Sequence, residues 1–274
     1  MRPRRPEPRR DDGRRSELHR PAAPELPAPA GFPRLVLGLQ AVRAAIRARG
    51  AELGVVFVEQ SDNPRLDAVA RFARDQGVSR VEVVSRASLE RLSGGVMHQG
   101  VAAWARELAL SELEPLLVDP ALLGIVLDRI QDPQNFGAVL RSAVALEASC
   151  VVWGEHSSAP LGAATLRAAA GAAEFARLCR ASSLTKSLAA ARDAGVAVLG
   201  LEAQGEQPLW AHDLRRPTLL VIGSEHSGMT PAVRRACTGF ARLVEPGMIE
   251  SLNASVAAAI ALYEAKRQRS IPAT

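Results

Sequence analysis

From Leu35 onward, short apolar runs alternate with longer stretches in which apolar residues recur at helical spacing. LGLQAVRAAIRARG reads as a helix ended by Gly50, and GVVFVEQ as a strand. Asn63-Pro64 opens a helix with Leu66, Val69, Ala70 and Ala73 on one face, stopped by Gly77. RVEVV, ASLERLSGG and GVAAWARE read as strand, short helix and strand, so residues 34–108 are expected to form a compact αβα unit. SELEPLLVDP, with its two prolines, reads as a connector, placing a linker over residues 109–120.

A second unit, residues 121–274, starts with the strand LLGIVLDRI and repeats the alternation. Further strands are expected at CVVW, EFARLC, VAVLGL, TLLVIG and FARLVE, and helices at GAVLRSAVALE, LTKSLAAARDAG and TPAVRRACT. Thr230 is the expected N-cap of the last of these, with Pro231 in its first helical position. A final helix runs from about Ser251 to Arg269. Its apolar residues Leu252, Val256, Ile260 and Tyr263 step by roughly one turn, and Lys266, Arg267 and Arg269 complement the dipole at its end. The expected fold class is α/β, with a mostly parallel sheet covered by helices.

Composition sharpens this picture at the N-terminus. Residues 1–33, rich in Pro, Arg and Glu, contain nothing that can pack a core and read as disordered. Eight arginines against four acids in residues 1–20 account for +4 of the formal net charge of +5, so the rest of the chain is almost neutral. Such an arm fits attraction to RNA or DNA phosphates, and equally a solvated tail. No apolar run reaches the ~18–20 residues of a membrane span. The first twenty residues have neither the apolar segment of a secretory signal nor the Ser-rich, acid-poor character of a transit peptide, so a soluble, cytoplasmic protein is expected. Cys150, Cys179 and Cys237 are scattered and read as buried small hydrophobes rather than a disulfide or zinc framework. The five histidines are dispersed, and no metal site is expected.

In open α/β sheets ligands sit beyond the carboxyl ends of strands, and three polar turns of the second unit occupy such positions. QDPQNFGAVLR follows LDRI, SEHSGM follows TLLVIG, and PGMIESLNAS follows ARLVE. Val139, Ala143 and Leu146 form one apolar helical face with Arg141 nearly opposite, free to meet solvent or an anionic ligand. Asn135 can cap that helix or fix a substrate oxygen. Glu225, between Gly223 and Gly228, can accept bonds from a ribose, an amine or Arg141. Ser251 and Asn253 sit at a helix start, where free N–H groups face a ligand; capping explains Ser251 but not the nearby Asn253. A dinucleotide-binding G-x-G-x-x-G, a P-loop and a G-x-S-x-G elbow are all missing from the sequence.

Together the turns resemble the three motifs of the SpoU/TrmH-type RNA ribose 2′-O-methyltransferases of the SPOUT superfamily. The first is N-x-G-A-x-x-R-S, here Asn135, Gly137, Ala138, Arg141 and Ser142. The second is carried by Ile222, Gly223, Glu225 and Gly228, and the third by Gly247, Glu250, Ser251, Leu252, Asn253, Ser255, Val256 and Ala257. G-A-A-E at 171–174 and H-Q-G-V at 98–101 are similar to segments of the two-domain members that modify ribosomal RNA. Two places depart from the family pattern: Leu243-Val244-Glu245 stands where relatives commonly show I-P-M, and His226 where they often carry glycine.

The resemblance implies a catalytic domain with a deep trefoil knot, preceded by a domain like ribosomal protein L30e that binds RNA. It implies S-adenosylmethionine as methyl donor, held around Ile222, Gly223, Leu243, Gly247 and Leu252, without a metal, in a homodimer. Asn135, Arg141, Glu225, Ser251 and Asn253 would be the catalytic group. Arginine keeps its proton in proteins, so Arg141 is expected to stabilise a ribose oxyanion rather than act as a base. Asn135 and Glu225 would orient Arg141, and Ser251 with Asn253 would fix the 2′-hydroxyl. The implied substrate is structured RNA, with a guanosine of 23S ribosomal RNA favoured. A transfer-RNA methylase and a catalytically silent RNA-binding or ribosome-assembly factor on the same fold are the alternatives.

Overall fold

A computed structural model describes residues 25–156, 158–225, 227–244 and 252–271. The first unit contains β1 (Arg34–Leu37), α1 (Leu39–Arg49), β2 (Val55–Glu59), α2 (Pro64–Asp75), β3 (Val81–Val84), α3 (Arg86–Ser93) and β4 (Val101–Ala105). Its sheet has the order β1-β4-β2-β3, with β2 and β3 parallel and the other pairs antiparallel. Val56 and Val58 of β2 face a core with Val42, Ile46, Leu66 and Val69, while Val55 and Phe57 face another with Leu89 and Ala102. The period-two alternation of a strand thus supplies both layers.

Two expectations fail here. Leu37 does not start the first helix: it ends β1, which pairs with β4 before the chain turns into α1 at Gly38. Residues 25–33, expected to be disordered, pack on the unit: Leu26 joins the second core and its carbonyl accepts from Trp104 Nε1 at 3.1 Å. Phe32 fills the space where Gly54 lacks a side chain and lies beneath the Arg106 guanidinium. The Arg-rich residues 1–24 lie outside the described residues.

The second unit contains β5 (Leu110–Ser111), β6 (Leu123–Leu127), α4 (Pro133–Ala145), β7 (Cys150–Gly154), α5 (Ala163–Ala169), β8 (Leu178–Ala181) and α6 (Leu184–Asp193). It continues with β9 (Ala197–Leu201), β10 (Gln207–Pro208), β11 (Thr218–Ile222), α7 (Pro231–Ala236), β12 (Gly239–Arg242) and α8 (Ala254–Arg269). All eight strands run parallel in the order β10-β12-β9-β11-β6-β7-β8-β5. Leu123, Ile125 and Leu127 of β6 enter the core shared with α4 and α8, while Val126 enters the core shared with α6 and α7. Burial on both faces explains why these strands read as continuous apolar runs. The segment 109–120 is more than a linker: β5 extends the sheet beside β8, and Leu113 and Leu117 are buried in its second core.

The two units meet through the 171–174 segment. A side chain at Gly171 would lie 2.3 Å from Ala44 Cβ of α1. Glu174, whose side chain is only 3% exposed, accepts from Arg34 Nη1 at 2.6 Å and Nη2 at 3.1 Å, and from Arg49 Nε at 3.4 Å.

α8 turns out differently from its sequence pattern. Its inward face is Ala254, Ala258, Ala261, Leu262 and Ala265, whereas Val256, Ile260 and Tyr263 are 46%, 42% and 63% exposed. The small residues let α8 lie close against α4 and β11, and the large ones point outward. Its last turn is fastened to the amino ends of β6 and β11: Arg269 donates to the carbonyls of Ala121, Leu122, Leu214 and Arg216. Burial lowers the Arg269 guanidinium from its ordinary range.

Candidate active site

β6 and β11 are neighbours at the centre of the sheet, and their carboxyl ends are tied by the Asp128 N–H donating to the Ile222 carbonyl at 2.8 Å. From β6 the chain works outward through β7 and β8, while β9 and β12 lie beyond β11. The crevice where the order reverses is where such sheets hold ligands. Asp128 is buried, and its Oδ2 accepts from Thr230 N at 2.6 Å, fixing the entry to α7, where the Thr230 hydroxyl caps Val233 N. Sequence reasoning missed Asp128; the available signal was an acid ending an otherwise apolar strand.

α4 begins earlier than its apolar pattern indicated. Asp132 is the N-cap, accepting from Gln134 N at 2.9 Å, and Pro133 takes the first position. Asn135 is therefore inside the first turn and does not cap it. It is nine-tenths buried, with its amide turned toward the loop after β11. Gly137 explains itself through packing: a Cβ there would sit 2.3 Å from Ala168 Cβ and 2.7 Å from Thr165 O, so α5 can rest directly on α4.

The loop after β11 is closed by a bridge in which Ser224 and Gly228 exchange backbone hydrogen bonds at 3.1 and 2.9 Å. Gly223 stands where a Cβ would lie 2.1 Å from the Gly228 carbonyl carbon, so only glycine permits this turn. Gly228 has φ +62, a left-handed conformation that suits the same residue. The bridge presents Glu225 toward α4 and α8.

Asn253 is the N-cap of α8, its Oδ1 accepting from Ser255 N at 3.0 Å and Val256 N at 3.3 Å. This answers why an asparagine follows Ser251 so closely. Its Nδ2 donates to Asn135 Oδ1 at 3.0 Å and to Glu225 Oε1. Glu225 Oε1 also accepts from Asn135 Nδ2 at 2.7 Å and from Ala254 N at 3.3 Å. A carboxylate at the N-terminal end of α8 is favoured by the helix dipole. Asn135, Glu225 and Asn253, far apart in sequence, thus form one hydrogen-bonded cluster. Glu225 Oε2 carries no hydrogen bond among the described residues.

Arg141 does not join the cluster. It is exposed on α4, with no side-chain hydrogen bond or ion pair among the described residues, so neither Asn135 nor Glu225 orients it within this chain. Beside the cluster, the end of β11 presents buried Ile222 and the backbone of Gly223, while Leu243 and Leu252, both half-buried, flank the segment between β12 and α8. Apolar side chains here suit the adenine and ribose of a nucleoside-like donor, and the cluster supplies a carboxylate rather than a cation beside a positively charged group. Gly247, Glu250, Ser251 and His226 lie outside the described residues. No three His, Cys, Asp or Glu side chains gather as metal ligands among the described residues.

Comparison with known proteins identifies the family. The SpoU rRNA Methylase family matches residues 122–263, and the RNA 2′-O ribose methyltransferase substrate binding family matches residues 35–110. The chain is 38% identical over 240 residues to the 23S rRNA (guanosine-2′-O-)-methyltransferase RlmB of Xanthomonas axonopodis pv. citri, covering 85% of this chain and 96% of that protein. An RNA 2′-O ribose methyltransferase crystal structure superposes with a TM-score of 0.71 at 30% identity, covering 86% of this chain and 89% of the other. The SpoU methyltransferase AviRb from Streptomyces viridochromogenes, in complex with AdoMet, gives 0.69 at 26% identity, covering 86% and 90%. On the strength of both family matches and this identity across most of its length, the chain belongs to the SpoU rRNA methylase family.

Proposed function

We propose that this protein transfers a methyl group from S-adenosylmethionine to the 2′-hydroxyl of a guanosine ribose in 23S ribosomal RNA, as a cytoplasmic homodimer. The observation that carries this reading is the cluster in which Asn135, Glu225 and Asn253 join all three motif loops at the sheet's crevice. The relative with 38% identity, named for this reaction, supports the choice of substrate.

Bound S-adenosylmethionine supplies an electrophilic methyl group on a sulfonium. Ile222, Gly223, Leu243 and Leu252 would hold it, with backbone groups at the end of β11 reading the adenosine and apolar side chains excluding water; Gly247, which the resemblance assigns to the same pocket, lies outside the described residues. Asn135 and Asn253 spend their amides on Glu225 and on each other, so they act by locking the loops in register. Glu225 keeps Oε2 available to accept from a ribose hydroxyl or from Arg141. Arg141, exposed and with no side-chain partner among the described residues, supplies a fixed positive charge to the 2′-oxygen as its proton passes to a phosphate oxygen of the RNA. The family resemblance assigns Ser251, which lies outside the described residues, to the same hydroxyl.

The homodimer reading rests on α8, whose Val256, Ile260 and Tyr263 make an outward apolar strip beside the cluster. Residues 34–108 present the RNA, in keeping with the substrate-binding family match over residues 35–110. No helix among the described residues is long and apolar enough to cross a membrane.

The test is to incubate the protein with isotopically labelled S-adenosylmethionine and hypomethylated total RNA, then map the label by primer-extension arrest and nucleoside mass spectrometry. The reading requires a single 2′-O-methylguanosine in 23S RNA. Label in transfer RNA, or cofactor binding without transfer to any RNA, contradicts it.

A further inference from the structure

The first unit holds a groove of about 640 Å³ that the methyl-transfer chemistry does not use. It opens at the carboxyl end of β2, between α3 and the loop that leads into β4, and is lined by His98, Gln99 and Gly100 of the H-Q-G-V segment. Its volume lies in the range of ~300–1,000 Å³ typical of ligand sites. Glu59, Arg86, Glu90, Met97, His98 and Gly100 define its chemistry.

The loop is held in place before any ligand arrives. His98 is buried, and its Nδ1 accepts from Gly100 N at 3.0 Å. Gln99, in the left-handed region at φ 54, accepts from Leu39 N through Oε1 at 2.9 Å. Yet Met97, between these anchors and Gly95, is 79% exposed. A thioether held outward at the edge of a groove is a surface for an aromatic face.

Charge decides which part of an RNA fits. Among the described residues the groove has one arginine, Arg86, which is engaged by Glu90 at 2.8 Å and also feels the charge of Glu59, while Glu59 itself has no hydrogen bond or ion pair among them. Two carboxylates against one committed guanidinium repel a phosphate but accept from a donor-rich edge. Glu59 Oε2 stands 3.2 Å from where a Gly100 side chain would begin, so the absent Cβ keeps that carboxylate accessible. Among the four standard bases, only guanine presents two adjacent donors, N1–H and the N2 amine, on its Watson–Crick edge. Unpaired bases in RNA are read in this way, by stacking and by edge hydrogen bonds.

We propose that this groove binds an unstacked guanine of the RNA substrate, with N1–H and the N2 amine donating to Glu59 and the ring face against Met97. The proposal rests on RNA being the substrate, and assigns Glu59 and Met97 to specificity. Neither residue belongs to the catalytic cluster.

The experiment measures binding of the full-length protein and of Glu59→Gln to labelled pentanucleotides UUGUU, UUAUU and UUIUU, where inosine lacks the N2 amine. The wild type should favour guanine over adenine by roughly tenfold, with inosine between them, and Glu59→Gln should lose that preference. KM for ribosomal RNA should rise in the variant while kcat and S-adenosylmethionine affinity hold. Equal affinity of the wild type for the pentanucleotides, or an unchanged preference in a folded variant, overturns the proposal. Should the variant not fold, photo-crosslinking of wild-type protein to 6-thioguanosine-containing RNA decides: adducts within residues 93–100 support the site, and adducts only elsewhere overturn it. Failure here with normal methylation leaves the proposed reaction standing, whereas a guanine preference without methylation would overturn that reaction and keep the groove.

Discussion

Gly137 and Asn253 show how differently residues of one motif set can act. Gly137 sits in a helix, where alanine would ordinarily gain about 1 kcal/mol in propensity. Here a Cβ would press on Ala168 and the Thr165 carbonyl, and overpacking costs roughly 1–3 kcal/mol. Gly137→Ala should therefore destabilise the protein in urea unfolding and slow methyl transfer by displacing Asn135; a more stable variant would refute the packing argument. Asn253 caps α8 with one side-chain atom and ties Glu225 and Asn135 with the other. The sequence made Asn135, Glu225 and Asn253 visible as candidates because each sits after a strand. It could not reveal that they bond to one another, since that depends on β6 and β11 being neighbours. Of the two roles open to Asn135, capping is excluded, because Asp132 is the N-cap three positions earlier.

At the scale of elements, α8 was the least legible. Stepping by turns, Leu252, Val256, Ile260 and Tyr263 look like a core face, but close approach to α4 selects the alanines instead. Size outweighed hydrophobicity in deciding which side faces in. A second copy of the chain, as in the proposed homodimer, would cover the outward strip. Tyr263→Glu, placing a charge in that strip, should convert a dimer to a monomer in light scattering after gel filtration while far-ultraviolet circular dichroism is kept. A wild type that is already monomeric would contradict this. β1 escaped detection for a simpler reason: four residues run straight into α1 with no polar break between them except Gly38.

Across the whole molecule, the alternation of apolar runs made the parallel α/β unit legible, because the central strands β6, β7, β9 and β11 are buried on both faces. Strand order was not, as it depends on which segments cross back over the sheet. The junction of the two units was marked by G-A-A-E, whose physical meaning is a buried Glu174 held by Arg34 and Arg49. Removing one member of a buried pair costs about 3–5 kcal/mol because the other charge is stranded. Glu174→Gln should split thermal unfolding into separate transitions for the two units in calorimetry, whereas a single unshifted transition would mean the ion pair does not couple them. In the proposed function, Asn135, Glu225 and Asn253 assemble a methyl-transfer site served by Arg141. This is tested most directly by single-turnover methylation of ribosomal RNA by Arg141→Ala with S-adenosylmethionine saturating. Loss of an oxyanion-stabilising charge should slow the step by roughly 10²-fold or more with cofactor affinity and stability unchanged; a rate near that of the wild type would contradict the account.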